Sequence, residues 1–434
     1  MASNPDEIAH LLRRSGFVAP AARVAQLAQL DWAAAVEAVL DTSGNPPEDL
    51  PASVFTWDPS RGYDIYVDLV QWWLDRCVST PTPVVEKMTL FWQGHFTSSF
   101  AKVYNVPAIL SQHRLYRSMA LGDFYTLAQR MAVEPAMLWY LDNSDNVKGS
   151  PNQNFARELM ELFLLGVGNY TEDDVIASAR AWTGHTTPAW NVPTYVFRDD
   201  LHDNDPKTFF GTTKNWNGQD IINEIFANSA KRPVVARFMA KKLWEFFAYQ
   251  NPAPAVVDAI AQAFLAASFD VKAALRSIFN HAEFRSVQAR QGLVRSPIEY
   301  VVAAMYHTST KSAEAHPEWY LGDMGQEPFN PPNVSGWRPN AYWVNSSAFS
   351  GRAEFARYLS WRLRERGWWA DLNSRTVDSA VDHGAETFGV APLTPTTRAA
   401  ITNWLANDRT QGERWAEQTN INTLFLLAPE MSLA

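Results

Sequence analysis

The sequence is poor in cysteine and has no excess of positive charge. Its 434 residues include one cysteine, Cys77, which excludes an internal disulfide and a cluster of thiolate ligands. Cys77 lies in an amphipathic segment, and we interpret it as a small core residue rather than a nucleophile. Lysine and arginine number 37 against 46 acidic residues, so the net charge is −9. Because a nucleic-acid surface needs a basic stripe, we expect no nucleic-acid partner.

Long apolar runs are also missing. No stretch is long enough to span a bilayer, and residues 1–17 contain charged side chains instead of the apolar run of a signal peptide. These absences predict a soluble, cytoplasmic protein without a membrane span. The sequence also lacks a glycine-rich phosphate loop, a dinucleotide fingerprint, a His-Glu-x-x-His zinc motif and a Gly-x-Ser-x-Gly nucleophile elbow.

The chain is rich in apolar and aromatic residues. Hydrophobic residues make up 47% and aromatic residues 13%, including 18 Trp, which indicates a folded protein with a sizeable core. Apolar residues recur every three to four positions, which predicts a mainly α fold: a large multi-helix bundle with long aromatic-rich loops and at most a small β-hairpin. The predicted loops cover residues 186–214 and 316–350, and helix returns over 351–363 and 395–427. The weak composition shift near residues 215–218 divides the chain into an N-terminal helical region, 1–215, and a C-terminal one, 216–434, or leaves one compact domain.

One predicted helix carries unusual polarity. Over residues 152–165, Asn154, Arg157, Glu158 and Glu161 recur at three- and four-residue spacing, which places them on one side of the helix. Gly166 is its predicted end. A helix that carries charge where a large protein has core is unusual, because charged side chains are rarely buried unless they are paired.

Several segments resemble, in order, the motifs of the domain-of-unknown-function 1800 family. They are residues 10–17 (HLLRRSGF), 91–96 (FWQGHF), 154–163 (NFARELMELF), 174–184 with its Ala-Arg-Ala-Trp-Thr-Gly end, 202–211, and 331–337 (PPNVSGW). The resemblance implies a large helical bacterial protein and assigns no reaction. Members are often exported and encoded near a sulfatase-like companion, whereas this chain shows no leader. Gln153 stands where members often have Glu, which removes one carboxylate from the polar helix.

The polar residues in these motifs suggest a metal site. Glu158 and Glu161 lie one helical turn apart, a spacing that lets two carboxylates share a divalent ion inside a helical bundle. His95 and His202 add nitrogen ligands, so we predict a divalent metal held by Glu158, Glu161, His95 and His202. The alternative is that His95 is a hydrogen-bonded core histidine, since Trp92 and Phe96 flank it.

The same segments offer acid-base groups. His202 and Asp203, with Lys207 downstream, place a base, an acid and a cation in a loop that could close on a ligand. We predict a catalytic centre made of these three with Arg157, Glu158, Glu161, Asp174 and Arg180. In the alternative, Arg157, Glu158 and Arg180 form a paired network that fixes helix packing, and Asp203 satisfies an Asx turn.

Aromatic and amide side chains are the predicted substrate contacts. Trp337 and Trp343 could stack on a sugar or line an apolar cavity, and Asn333 lies in the same segment. We add Asn154 and Trp182 from the polar-helix motifs. A structural loop fixed by its tryptophans is the alternative.

Three functions remain open. The first is an enzyme with a buried carboxylate and histidine centre, assisted by a divalent metal, that performs acid-base chemistry on a small polar or saccharide-like substrate. The second is a non-catalytic binding or assembly protein in which the polar network is structural. The third is an aromatic-lined helical cyclase that acts on an apolar or cationic intermediate. We favour the first.

Overall fold

The elements are almost all α-helices, which confirms the predicted fold class. The computed structural model describes residues 2–290, 292–411 and 416–434. Within these ranges the α-helices are α1 (Pro5–Ser15), α2 (Ala21–Leu27), α3 (Trp32–Leu40), α4 (Gly62–Ser79), α5 (Pro83–His95), α6 (Phe100–Val103), α7 (Val106–Ser118), α8 (Phe124–Met131), α9 (Pro135–Tyr140), α10 (Asn154–Glu158), α11 (Glu172–Ala181), α12 (Gly218–Ala227), α13 (Arg232–Phe247), α14 (Pro254–Ala266), α15 (Val271–Asn280), α16 (Val287–Arg290), α17 (Pro297–Thr308), α18 (Ser312–Ala315), α19 (Glu318–Met324), α20 (Ser346–Glu365), α21 (Val377–Thr387), α22 (Pro395–Gln411), α23 (Glu417–Leu426) and α24 (Pro429–Ser432).

The predicted polar helix changes its winding halfway along. It starts as α10 and continues as a π-helix over Leu159–Leu164. Both Leu165 and Gly166 donate backbone hydrogen bonds to the carbonyl of Met160, and Gly166 ends the helix with a φ of +81°. A π-helical turn is rare and occurs often at functional sites, so this segment is a structural landmark of the fold.

The aromatic loop after α11 contains two small antiparallel ribbons instead of one hairpin. Strand β1 (His185–Thr186) pairs with β2 (Val196–Phe197), and β3 (Lys207–Phe209) pairs with β4 (Thr212–Lys214). The second ribbon closes through Phe210 and Gly211, both in the left-handed region with φ of +46° and +80°. Gly211 adopts that conformation without strain, which allows the tight turn.

The second predicted loop is more helical than its proline and glycine content indicates. It contains α19, a 3₁₀ turn at Asn340–Trp343 and the start of α20. The aromatic side chains of α19 explain the difference, because Trp319 and Tyr320 pack on Tyr358 of α20 with ring centroids 5.8 and 6.0 Å apart. Tertiary packing here overrides local propensity. The remaining irregular segment, around residues 325–345, contains the PPNVSGW motif.

Helix α5 lies deep in the core and positions the site. All its residues from Val84 to Gln93 are buried, and His95 follows at 2% exposure. It packs on α7, α4 and α1. Helices from either side of the predicted cut near residues 215–218 also pack together, α3 on α15 and α4 on α17. The two-region division stays a prediction.

The C-terminal helical prediction is confirmed as α22 and α23, except that residues 412–415 of the predicted span lie outside the described residues. Neither these helices nor any other described helix is long and apolar enough to cross a bilayer.

Candidate functional site

Most charged side chains of the polar helix are paired with residues close to the helix. Arg157 donates to Glu172 at 2.7 Å, in an ion pair whose side chains are 36% and 60% exposed. Tyr170 donates its hydroxyl to Glu161 at 2.5 Å. Glu158 is half-buried; burial, and then the charge of Glu161, raise the pKa of its carboxyl above the ordinary value. The two glutamates are therefore neighbours, as their spacing predicts.

Arg180 and Asp203 form a two-point ion pair. Arg180 Nε donates to Asp203 Oδ2 at 2.6 Å, and Nη2 donates to Oδ1 at 3.2 Å. Burial alone would raise the pKa of Asp203, but the hydrogen bonds and charge of Arg180 hold it below its ordinary value. A bidentate pair of this geometry is strong and fixes both side chains.

Lys207 holds the same loop from inside. Its side chain is 1% exposed, and its ammonium donates to the carbonyls of Asp203 and Asp205 and to Asn215 Oδ1. All three protons of the ammonium thus have acceptors. Burial lowers the pKa of Lys207 from its ordinary value. The arrangement stabilises the turn between α11 and β3.

His202 and Asp174 are also used by the fold. His202 is 4% exposed, and its Nδ1 lies 2.8 Å from the carbonyl of Thr183, which assigns the ring proton to Nδ1. Asp174 caps α11: its Oδ2 accepts from the backbone and hydroxyl of Thr171, and its Oδ1 accepts from the backbone of Phe210. We name Asp174, Arg180, His202, Asp203 and Lys207 the loop network.

The predicted metal ligands do not gather in one place. Among residues 2–290, 292–411 and 416–434, no group of three or more His, Cys, Asp and Glu side chains is placed to hold a metal ion. Glu158 and Glu161 lie on the polar helix, His95 lies in the core on α5, and His202 belongs to the loop network. Spacing along the chain could not reveal this separation.

Three predicted substrate contacts have local roles. Trp182 is fully buried against Phe155, with ring centroids 5.0 Å apart. Asn154 is exposed and donates to Asp142 at 3.2 Å. Asn333 forms an Asx turn, in which its side chain accepts from the backbone of Ser335 at 2.9 Å. None of the three lines the cavity described next.

A cavity of about 250 Å³ lies where α5, α13, α17 and the PPNVSGW segment meet. We name it the motif cavity. Its lining includes aromatic rings, one amine, two carboxylates and one imidazole. Among the lining residues are Leu90, Phe91, Gly94, His95, Lys242, Glu245, Phe246, Ser296, Glu299, Ser335, Trp337, Asn340 and Trp343. Its volume equals that of roughly eight water molecules in the liquid, enough for a small organic molecule.

Two of the motifs touch at glycines. Gly336 has a φ of +77°, and a Cβ built on it would lie 2.3 Å from the carbonyl oxygen of Gly94. Only glycine permits this approach, which brings the PPNVSGW segment onto the end of α5. Trp337 then covers Gly94, and Trp343 lies 4% exposed in the cavity wall. The indole nitrogen of Trp337 is buried and has no hydrogen-bond partner among the described residues.

His95 is buried in an aromatic shell with its polar atoms unsatisfied. The ring of Phe91 stacks on it, and those of Trp92, Phe96 and Phe163 surround it. Neither ring nitrogen has a partner of hydrogen-bond geometry in the described part of the chain, although the Phe163 backbone lies close. Burial, and then the nearby charge of Lys242, lower the pKa of His95 well below its ordinary value, so the imidazole is neutral.

Lys242 is the amine of the cavity. Burial lowers its pKa from 10.5 to about 8, a change that the charge of Glu245 opposes. Its ammonium has one weak acceptor, the carbonyl of Leu162 at 3.4 Å, and lies 5.2 Å from the centroid of the Phe238 ring. Leu162 belongs to the π-helical segment. The polar-helix motif therefore contacts two lining residues of the cavity, Lys242 through the backbone of Leu162 and His95 through the ring of Phe163.

The carboxylate wall is anchored by the fold. Glu299 forms an ion pair with Lys87 and accepts from the backbone of Ser296 at 2.7 Å, as part of the cap of α17. Burial alone would raise the pKa of Glu299, but Lys87 and these hydrogen bonds hold it below its ordinary value. At the rim, Glu245 accepts from the backbone of Asn251 at 3.1 Å.

Of the predicted site residues, His95, Trp337 and Trp343 line the cavity, while Lys242, Glu245 and Glu299 were missed. Lys242 had a signal in the sequence: it lies four residues after Phe238 and four before Phe246, so it interrupts an apolar stripe of α13. Glu299 gave the weaker signal of a capping box with Ser296.

Comparison with known proteins adds the family. The family model described as "Protein of unknown function (DUF1800)" matches residues 10–433, nearly the whole chain. No curated protein and no solved structure matches the chain significantly. The matched span contains all six motifs, two of which supply residues to the lining of the motif cavity. The chain belongs to the DUF1800 family.

Proposed function

We propose that the motif cavity is the active site of an enzyme that performs acid-base chemistry on a small polar organic substrate. One observation supports this most: His95 and Trp337 present buried, unpartnered polar atoms at a cavity that also contains the loosely bound amine of Lys242. A buried polar atom without a partner costs about 1–3 kcal/mol. The atoms of His95 and Trp337 lie at one cavity, and a ligand that bonds to them there would offset this cost.

The roles follow from protonation. Neutral His95 can relay a proton by taking one at one ring nitrogen while it releases another from the second, and Lys242, with its pKa at about 8, supplies both the ammonium and the free amine near neutral pH. Perturbed groups of this kind cluster at catalytic sites. Trp337 and Trp343 would cover the substrate and exclude water.

The two alternative functions, a structural polar network and a cyclase, fit the motif cavity less well. The loop network, whose charges are paired, suits the structural role that we considered for it. A cyclase that stabilises a cationic intermediate would place that cation beside the ammonium of Lys242, which would repel it. Because the predicted metal ligands are apart, the proposal rests on an imidazole and an amine.

Ligand binding and proton transfer can be tested in sequence. Organic acids, aldehydes, ketones and sugars are screened for a rise in the melting temperature of the wild type. Each ligand found is then incubated with protein in D₂O, and deuterium incorporation at its carbon atoms is followed by NMR. We expect incorporation with the wild type and its loss in His95→Phe. Equal binding and equal incorporation by both proteins would contradict the proposal.

His113→Phe is the matched control. His113 is also buried on a neighbouring helix and surrounded by aromatic rings, and it lies outside the motif cavity. We expect His113→Phe to bind and exchange the ligand like the wild type.

A further inference from the structure

Lys242 differs from an ordinary lysine in what surrounds its amine. In the described residues it forms no ion pair with a carboxylate, and its one acceptor, the carbonyl of Leu162, is 3.4 Å away. Its neighbour Lys241 is the opposite case: it is exposed at the surface and lies 3.9 Å from Glu245. The fold thus holds one of two adjacent amines in a cavity without a strong partner.

We propose that Lys242 captures an aldehyde or ketone in the motif cavity as an imine. This inference rests on the proposed function, because it names the chemical class of the substrate for the same site. The cavity supplies the geometry: an amine in the wall, an adjacent neutral imidazole, and aromatic rings that limit the entry of water.

The covalent step balances within the cavity. The lone pair of the neutral amine forms a bond to the carbonyl carbon, while the π electrons of C=O move to oxygen. His95 relays one proton from nitrogen to that oxygen, giving a carbinolamine. The C–O bond then breaks as the second nitrogen-bound proton joins the hydroxyl, so water leaves and a C=N bond remains. Addition of water reverses the sequence.

The amine is free often enough for this chemistry. At pH 7 a lysine with a pKa of about 8 is neutral in roughly one molecule in ten, against roughly one in 2,500 for an unperturbed lysine. Lower basicity reduces nucleophilicity and offsets part of that advantage.

The test traps the imine on the full-length protein. Wild type is incubated at pH 7 with butyraldehyde and sodium cyanoborohydride, and alkylated lysines are located by peptide mass spectrometry. We expect Lys242 to be modified at least about tenfold faster than Lys241, although Lys241 is the more exposed. Lys241→Arg should leave the labelling of Lys242 unchanged. Labelling of Lys242 no faster than that of Lys241 would overturn the proposal.

A second measurement separates this inference from the proposed function. A ligand that exchanges deuterium with wild type is tested with Lys242→Met, whose fold is checked by circular dichroism. Loss of exchange, together with a trapped adduct of that ligand on wild-type Lys242, supports the imine. Exchange that persists in Lys242→Met but disappears in His95→Phe overturns the imine and keeps the acid-base function.

Discussion

The loop network and the motif cavity treat buried polar groups in opposite ways. In the loop network the charges are matched: Arg180 binds Asp203 at two points, and Lys207 has three oxygen acceptors. In the motif cavity, neither nitrogen of His95 has a partner of hydrogen-bond geometry among the described residues, and Lys242 has one weak acceptor. Charged residues concentrated in motifs can thus be fully engaged by the fold, whereas unsatisfied hydrogen-bonding capacity beside an open volume leaves groups available to a ligand.

The largest effect is expected in the loop network. Lys207→Met removes a buried charged donor from three oxygen acceptors, so we expect the free energy of unfolding to fall by about 3 kcal/mol in urea titrations. Lys214→Met, on the exposed partner strand, is the control; it loses the contact of the ammonium with the Trp216 ring, 3.8 Å from the centroid, and should change the free energy of unfolding by less than about 1 kcal/mol. A loss of less than about 1 kcal/mol for Lys207→Met would break the comparison.

Replacement of the Lys242 amine in the motif cavity is expected to raise the free energy of unfolding instead. The folded protein holds the proton of Lys242 less tightly than the unfolded chain does, so the charged amine destabilises the fold fully below pH 8. That cost fades as the pH rises from about 8 to 10.5. Lys242→Met should therefore raise the unfolding free energy at pH 7 by about 2 kcal/mol, and the gap to wild type should close near pH 10. A gap independent of pH would show that packing, not charge, determines the effect.

A smaller gain in stability is expected when the imidazole of His95 is replaced. His95→Phe removes two unsatisfied nitrogens, so we expect it to add about 1 kcal/mol at pH 7. The gap should widen as the pH falls below about 6.5, because the unfolded chain takes up a proton that folded His95 does not accept.

His10→Phe is the control for that substitution. His10 is also fully buried, and burial lowers its pKa to about 2, but its Nε2 bonds to the carbonyl of Phe284 at 2.9 Å. Loss of this bond should make His10→Phe destabilising at pH 7. If the two variants change stability in the same direction, partner satisfaction does not distinguish them.

The smallest effect is expected on the polar helix. The Arg157–Glu172 pair is open to solvent, so Glu172→Gln should lower the free energy of unfolding by less than about 0.5 kcal/mol at 0.15 M salt. A loss above about 1 kcal/mol in thermal unfolding would mean that this pair belongs with the loop network in importance.

The sequence predicts the helical fold well because periodicity and caps are local signals. Gly166 ends the polar helix as predicted, and Thr171, a typical cap residue, is the N-cap of α11. The change to π-helix at Leu159–Leu164 is invisible in the sequence, since it depends on packing against α13.

The candidate site is predicted only in part. His95, Trp337 and Trp343 are found through their motifs, and the touching glycines bring those motifs together. The partner of each charged residue cannot be deduced from spacing, so the sequence does not reveal that Arg180 and Asp203 form an ion pair with each other. Lys242 was missed because it lies outside the motifs, although it interrupts an apolar stripe.

Side-by-side urea unfolding of Lys207→Met and Lys242→Met at pH 7 tests the central claim most directly. Both substitutions replace a lysine by the same side chain; Lys207 is buried and has three acceptors, whereas Lys242 is partly buried and has one weak acceptor. We predict that Lys207→Met is less stable than wild type and that Lys242→Met is more stable. Destabilisation of both variants by similar amounts would contradict the account, because Lys242 would then be a structural residue like Lys207.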